Sequence, residues 1–131
     1  DWQNKQAGQL ASKMRFLTAP WIGMLQDNAW LRHANHANKM AKRLRRAICG
    51  IPGLQFLHPT QANAVFVDMP PELNAALHRR GWHFYTLYGD RDARFMCSWD
   101  TTTKDVDAFA ADIRELAAAK LPKPRRGKSG R

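Results

Sequence analysis

The 131 residues include 21 Lys and Arg against 11 Asp and Glu, a formal net charge of +10, and 44% of them are apolar. That supply of apolar side chains builds one modest core, which argues against a disordered segment, and no apolar run reaches the roughly 18 residues of a membrane-spanning helix. Cys49 and Cys97 lie far apart without Cys-x-x-Cys spacing, so neither a zinc knuckle nor a disulfide framework is indicated and a reducing, cytoplasmic setting is the simplest compartment.

The chain opens on Asp1-Trp2-Gln3-Asn4-Lys5, which is neither a methionine start nor a signal peptide, and reads as a piece of a longer polypeptide. Leu10, Met14, Leu17, Trp21, Ile22 and Leu25 then follow helical spacing, interrupted by Gly8, Pro20 and Gly23. Proline removes a backbone donor and crowds the preceding turn, which predicts a kink or two successive helices at Pro20. The polar stretch from Gln3 to Arg15 still carries Leu10 and Met14, so one face is expected to pack against something outside this chain.

Asp27 or Asn28 stands where a cap belongs for a second helix running to about Cys49, with Trp30, Leu31, Ala34, Ala37, Met40, Ala41, Leu44 and Ile48 on one stripe. Lys39, Lys42, Arg43, Arg45 and Arg46 crowd its later turns, where cations suit the negative end of the dipole. Gly50 and then Pro52 stop it. His33 and His36 have a loose metal-pair spacing, but no third ligand is in register. A solvated helix surface is therefore the preferred reading, and no metal ligand is assigned.

Leu54 to Leu57 and Ala64 to Met69 read as short strands around the turn-rich His58-Pro59-Thr60-Gln61. Pro70 and Pro71 open a short helix, Glu72 to Arg80, closed by Gly81. Trp82 to Leu87 is a third strand candidate and Arg94 to Trp99 a fourth, joined by the turn Tyr88-Gly89-Asp90-Arg91-Asp92. Thr102 is a natural N-cap with Asp105 as its capping-box partner, and Val106, Phe109, Ala110, Ile113, Leu116 and Ala117 then repeat at helical spacing. This order predicts an α+β fold: a small, mostly antiparallel sheet with helices on one face. The last twelve residues hold six Lys or Arg and no acid, so residues 1–119 carry only +4. Such a tail cannot offset its ordering entropy by burial and is expected to stay mobile.

Arg94 is a permanent cation at the head of an otherwise uncharged strand. It either reaches water or a neighbouring Asp90, Asp92 or Asp100, or forms a fork that grips a carboxylate. A resemblance favours the fork. Gly8-Gln9-Leu10-Ala11-Ser12-Lys13-Met14-Arg15-Phe16, Trp30-Leu31-Arg32-His33-Ala34-Asn35-His36-Ala37, Asn63-Ala64-Val65-Phe66-Val67 and Arg94-Phe95-Met96-Cys97-Ser98-Trp99-Asp100-Thr101-Thr102, in that order, resemble the C-terminal part of low-specificity threonine aldolases. The branch that includes phenylserine aldolase looks nearest.

The resemblance implies the small domain of an aspartate-aminotransferase-like, fold-type I enzyme, with residues 1–26 as a helix linking to a missing large domain, 27–119 as the small domain and 120–131 as a basic tail. It implies pyridoxal 5'-phosphate as cofactor, cleavage of a 3-hydroxy amino acid to glycine and an aldehyde, and assembly as a homodimer or homotetramer. Arg94 matches the family arginine that orients the substrate carboxylate, and Arg15 another that lies near the cofactor. This sequence departs from many aldolases in having Ser12-Lys13 where they have glycines. The family's Schiff-base lysine belongs to the large domain, so no catalytic residue is assigned here and the chain alone is expected to be inactive. Another pyridoxal-phosphate lyase or aminotransferase is the alternative within the fold. A basic nucleic-acid-binding module using Lys39 to Arg46 and the tail is the alternative outside it.

Overall fold

The periodicities condense, in a computed structural model that describes residues 2–8 and 11–119, into the order helix, helix, helix, strand, strand, helix, strand, strand, helix. Leu10 and the basic tail 120–131 lie outside the described residues. The chain divides into two compact units, one ending at His33 and the other beginning at Ala34.

The N-terminal unit holds α1 (Trp2–Gln6), α2 (Met14–Leu25), a tight helical turn at Gln26–Asn28 and the first residues of α3 (Ala29–Ile48). Two helices thus precede that turn, and α2 runs through Pro20 without dividing there. No residue of α2 is buried, so the carbonyl that Pro20 leaves without a donor is within reach of water, which lowers the penalty of an interior proline. Asp27 and Asn28 do not act as side-chain caps. Their backbone is left-handed, with φ of 51° and 56°, whereas a capping residue needs an extended conformation. They turn the chain instead, and the Arg32 guanidinium donates to the Asp27 carbonyl. Trp30 and Leu31, the head of the expected stripe, stay exposed.

In the C-terminal unit, β1 (Gln55–Phe56), β2 (Ala64–Asp68), β3 (Tyr85–Thr86) and β4 (Asp92–Met96) form one antiparallel sheet in the order β1-β2-β4-β3. The period of two in β2 and β4 sends Val65, Val67, Ala93 and Phe95 into the core and leaves Phe66, Asp68, Asp92, Arg94 and Met96 on the opposite face. Cys97, just beyond β4, is buried with the first set. That core is completed by Met40, Ala41, Leu44 and Ile48 of α3, Leu73 and Leu77 of α4 (Pro71–Arg79), and Val106, Phe109, Ala110 and Ile113 of α5 (Thr103–Ala118). The helices therefore line one face of the sheet, as an α+β sandwich requires.

Helix ends follow local chemistry. Gly81 (φ 93°) closes α4, with its N–H donating to His78 O and the Trp82 N–H to Leu77 O, the Schellman arrangement that a left-handed glycine permits. Thr102 and Asp105 satisfy each other's backbone N–H groups in a complete capping box at the start of α5. All four strands are shorter than the sequence suggests, and β4 starts two residues early, at Asp92. Trp82 and Phe84 leave the ladder to pack on Phe109 and Phe95, with ring centroids 4.7 and 5.0 Å apart, and Trp82 Nε1 donates to Asp112 at 2.7 Å. Beyond Met96 the chain turns at Ser98, whose N–H donates to Thr101 Oγ1 at 2.8 Å.

Candidate functional site

Arg94 is placed by the sheet alternation. It lies on the strand face away from the helices, registered against Phe66 of β2 and Tyr85 of β3, and is half-buried. Its guanidinium carbon is 5.7 Å from the centre of the Tyr85 ring, close enough for a cation–π attraction. The Asp90, Asp92 or Asp100 partner that a purely structural arginine would take is not used: among the described residues Arg94 forms no ion pair. Its Nε is buried without a hydrogen-bond acceptor. An unmade bond of that kind costs about 1–3 kcal/mol. The cleft in front of it, about 370 Å³, is lined by His78, His83, Phe84, Tyr85, Arg94 and Met96. Its lining contains neither a lysine nor a carboxylate.

The hairpin that carries Arg94 is tied down from three directions. Leu87 N donates to Asp92 O at 2.8 Å across the turn, Asn74 Nδ2 of α4 donates to Asp90 O at 2.9 Å, and Met69 N donates to Arg91 O at 3.1 Å. Arg91 also grips Asp68 with both arms of its guanidinium, at 2.8 and 2.7 Å. That donation holds the Asp68 carboxyl below its ordinary pKa, while partial burial opposes the shift. At the other end of β4, Asn63 and Cys97 exchange two bonds: Asn63 Nδ2 to Cys97 O at 2.8 Å and Cys97 N to Asn63 O at 2.9 Å.

The remaining candidates are distributed differently. Arg15 lies on α2 in the N-terminal unit, exposed, with its guanidinium 5.3 Å from the ring of Phe16, whereas Arg94 belongs to the C-terminal unit. His36 Nε2 is 2.8 Å from Thr101 O, so that nitrogen carries the proton and ties α3 to the turn before α5. Some of the positive charge is engaged within the fold. Arg43 forks onto Asp107, Arg80 onto Asp112 and Glu115, and Arg45 stacks 3.9 Å over Phe56. A second cleft of about 310 Å³ has Cys97, Asp100 and Asp105 in its wall. There burial pushes the Cys97 thiol up, and the two carboxylates already accept bonds from Ser98 and Thr102. Tyr85 was not singled out by sequence reasoning, because a tyrosine in a strand has no signature until the register sets it opposite Arg94.

No family model matches the chain. The low specificity L-threonine aldolases of Pseudomonas sp. (strain NCIMB 10558) and Pseudomonas aeruginosa are 54% and 52% identical to it over 119 residues. Each match covers 91% of this chain and 34% of the relative, so the chain spans about a third of the length of the curated proteins it matches. Among solved structures, threonine aldolase from Leishmania major superposes with a TM-score of 0.75 at 26% identity, over 88% of this chain and 34% of that one. A glycine decarboxylase (P-protein) gives 0.64 at 23% identity, over 75% and 24% of the two chains. The aminotransferase TlmJ from Streptoalloteichus hindustanus gives 0.62 at 16%, over 75% and 35%. These last two show the fold alone, that of the aspartate-aminotransferase-like enzymes. With the α+β sandwich and the sequence identity in agreement, the chain is a homologue of the low specificity L-threonine aldolases over about a third of their length.

Proposed function

We propose that this chain supplies the substrate-carboxylate site of a pyridoxal-phosphate-dependent lyase that cleaves 3-hydroxy amino acids such as threonine or phenylserine to glycine and an aldehyde. The observation that carries the reading is Arg94: a half-buried guanidinium on the free face of the sheet, with no ion pair among the described residues and a buried Nε lacking an acceptor. A carboxylate supplies the countercharge that no described residue gives Arg94. The cleft lining has no amine to take the cofactor aldehyde and no acid to face its ring, so the residues here fit the substrate and not the cofactor. The cofactor would be held by the remainder of a longer enzyme, and the chain by itself is inactive.

Pyridoxal phosphate, when bound, serves as the sink for the electrons released at Cα. Arg94 contributes orientation. By fixing the carboxylate it would hold the substituents at Cα in one orientation, which is what a choice between carbon–carbon cleavage and proton loss would require. Arg15 is carried as a cofactor-side residue by the sequence resemblance alone. The exposed apolar side chains of α2, Phe16, Leu17, Trp21, Ile22 and Leu25, suit contact with the large domain of the parent, itself a homodimer or homotetramer. The two unpaired thiols suit the cytoplasm. Arg94→Ala in the longer enzyme is the test. It should raise KM and lower kcat/KM on the order of a hundredfold or more, with the cofactor absorbance unchanged; an unaltered kcat/KM removes Arg94 from the site.

A further inference from the structure

Arg94 does not stand by itself on the open face. The β3–β4 ladder pairs it with Tyr85, and the β2–β4 ladder pairs it with Phe66, so an aromatic residue flanks it on each side. The Phe66 ring is met edge-on by His58, with centroids 5.4 Å apart at 78°. The Tyr85 ring is the one that faces the guanidinium. Tyr85 is 72% exposed, on a strand of only two residues, so it contributes little to the core. A large ring in that position calls for another explanation.

Arginine offers two distinct surfaces. Its planar face is attracted to an aromatic ring, and its N–H edge binds a carboxylate in the same plane. The Tyr85 ring, 5.7 Å from the guanidinium carbon, limits the rotational freedom of the guanidinium, which a carboxylate would otherwise have to restrict on binding. We propose that Tyr85 is a positioning residue for Arg94, holding the guanidinium by cation–π attraction on the free face of the sheet, where the substrate carboxylate would meet it. The role of the ring on substrate rests on the reading of Arg94 given above. The contact itself does not.

Two measurements test it. In the ¹⁵N-labelled 131-residue chain, the Nε–Hε resonance of Arg94, identified by its loss in Arg94→Lys, should show a ring-current shift. Tyr85→Phe should keep that shift and Tyr85→Thr, which suits an exposed strand, should lose it. An Arg94 resonance unmoved in Tyr85→Thr, with the rest of the spectrum intact, overturns the proposal. In the longer enzyme that contains this chain, Tyr85→Thr should raise KM about threefold at little cost to kcat, and Tyr85→Phe should restore it. An unchanged KM in Tyr85→Thr, or an equal loss in Tyr85→Phe, overturns it as well. If instead Arg94→Ala leaves kcat/KM untouched, the carboxylate reading fails while the resonance experiment still decides whether the ring holds the guanidinium.

Discussion

Asp68 and Arg91 form the clamp that sets the hairpin in front of Arg94, and they show how a charged pair near the surface acts by geometry more than by energy. The side chains are 22% and 53% exposed, so solvent screens the attraction and the pair adds little to global stability. Its two parallel bonds nonetheless fix where Arg91 leaves the turn, three residues before Arg94. Asp68→Asn should therefore leave the melting temperature nearly unchanged. It should speed amide hydrogen exchange at Leu87, whose N–H bonds across the turn, by a few-fold. Exchange at Leu87 equal to that of the parent chain would assign the clamp no part in holding the hairpin. Arg94 is legible in the sequence as the cation of a strand, but that strand begins at Asp92 and not at Arg94, and the choice of Arg94 between an aspartate and a ligand is not legible. That choice depends on which face of the sheet the strand register presents, and register is a tertiary property.

Among the elements, α5 is the one whose beginning the sequence states most completely. Thr102 and Asp105 at capping-box spacing precede an apolar stripe, and both halves of the box form. Thr102→Ala removes a side-chain acceptor at a helix start and should cost about 1 kcal/mol, a fall in melting temperature of roughly 4–8 °C for a domain of this size. Circular dichroism during heating measures it directly. The strand expected over Trp82 to Leu87 shrank to Tyr85–Thr86 because a run of large side chains suits a core cluster as well as a ladder. Trp82 satisfies its indole N–H on Asp112 of α5, which no local pattern encodes. The expected caps at Asp27 and Asn28 failed for a related reason: these residue types also tolerate left-handed backbone, and there the turn won.

At the scale of the molecule, the carboxyls of the described residues whose pKa departs from the ordinary value are all lowered. Asp112 is lowered by the Trp82 indole and then by Arg80, Glu115 and Asp107 by their arginine partners, and Asp105 by Thr102. A carboxyl whose folded pKa is depressed contributes stability that is fully present above its unfolded pKa, near 4, and is lost as pH falls through the folded value. The melting temperature should accordingly be level from pH 7 to about 5 and decline below about 4, steepened as the excess of positive charge grows. Asp112→Asn should flatten that decline when melts are compared across the same series of buffers.

The two thiols differ in a way that experiment can use. Cys49 is exposed and Cys97 is buried beside the end of β4, held there by the paired bonds to Asn63. An alkylating reagent should add one label at Cys49 within minutes and a second only when the packing around Cys97 opens. Mass spectrometry of the doubly modified species then serves as a clock for that opening, and an Asn63→Ala variant should make the clock run faster.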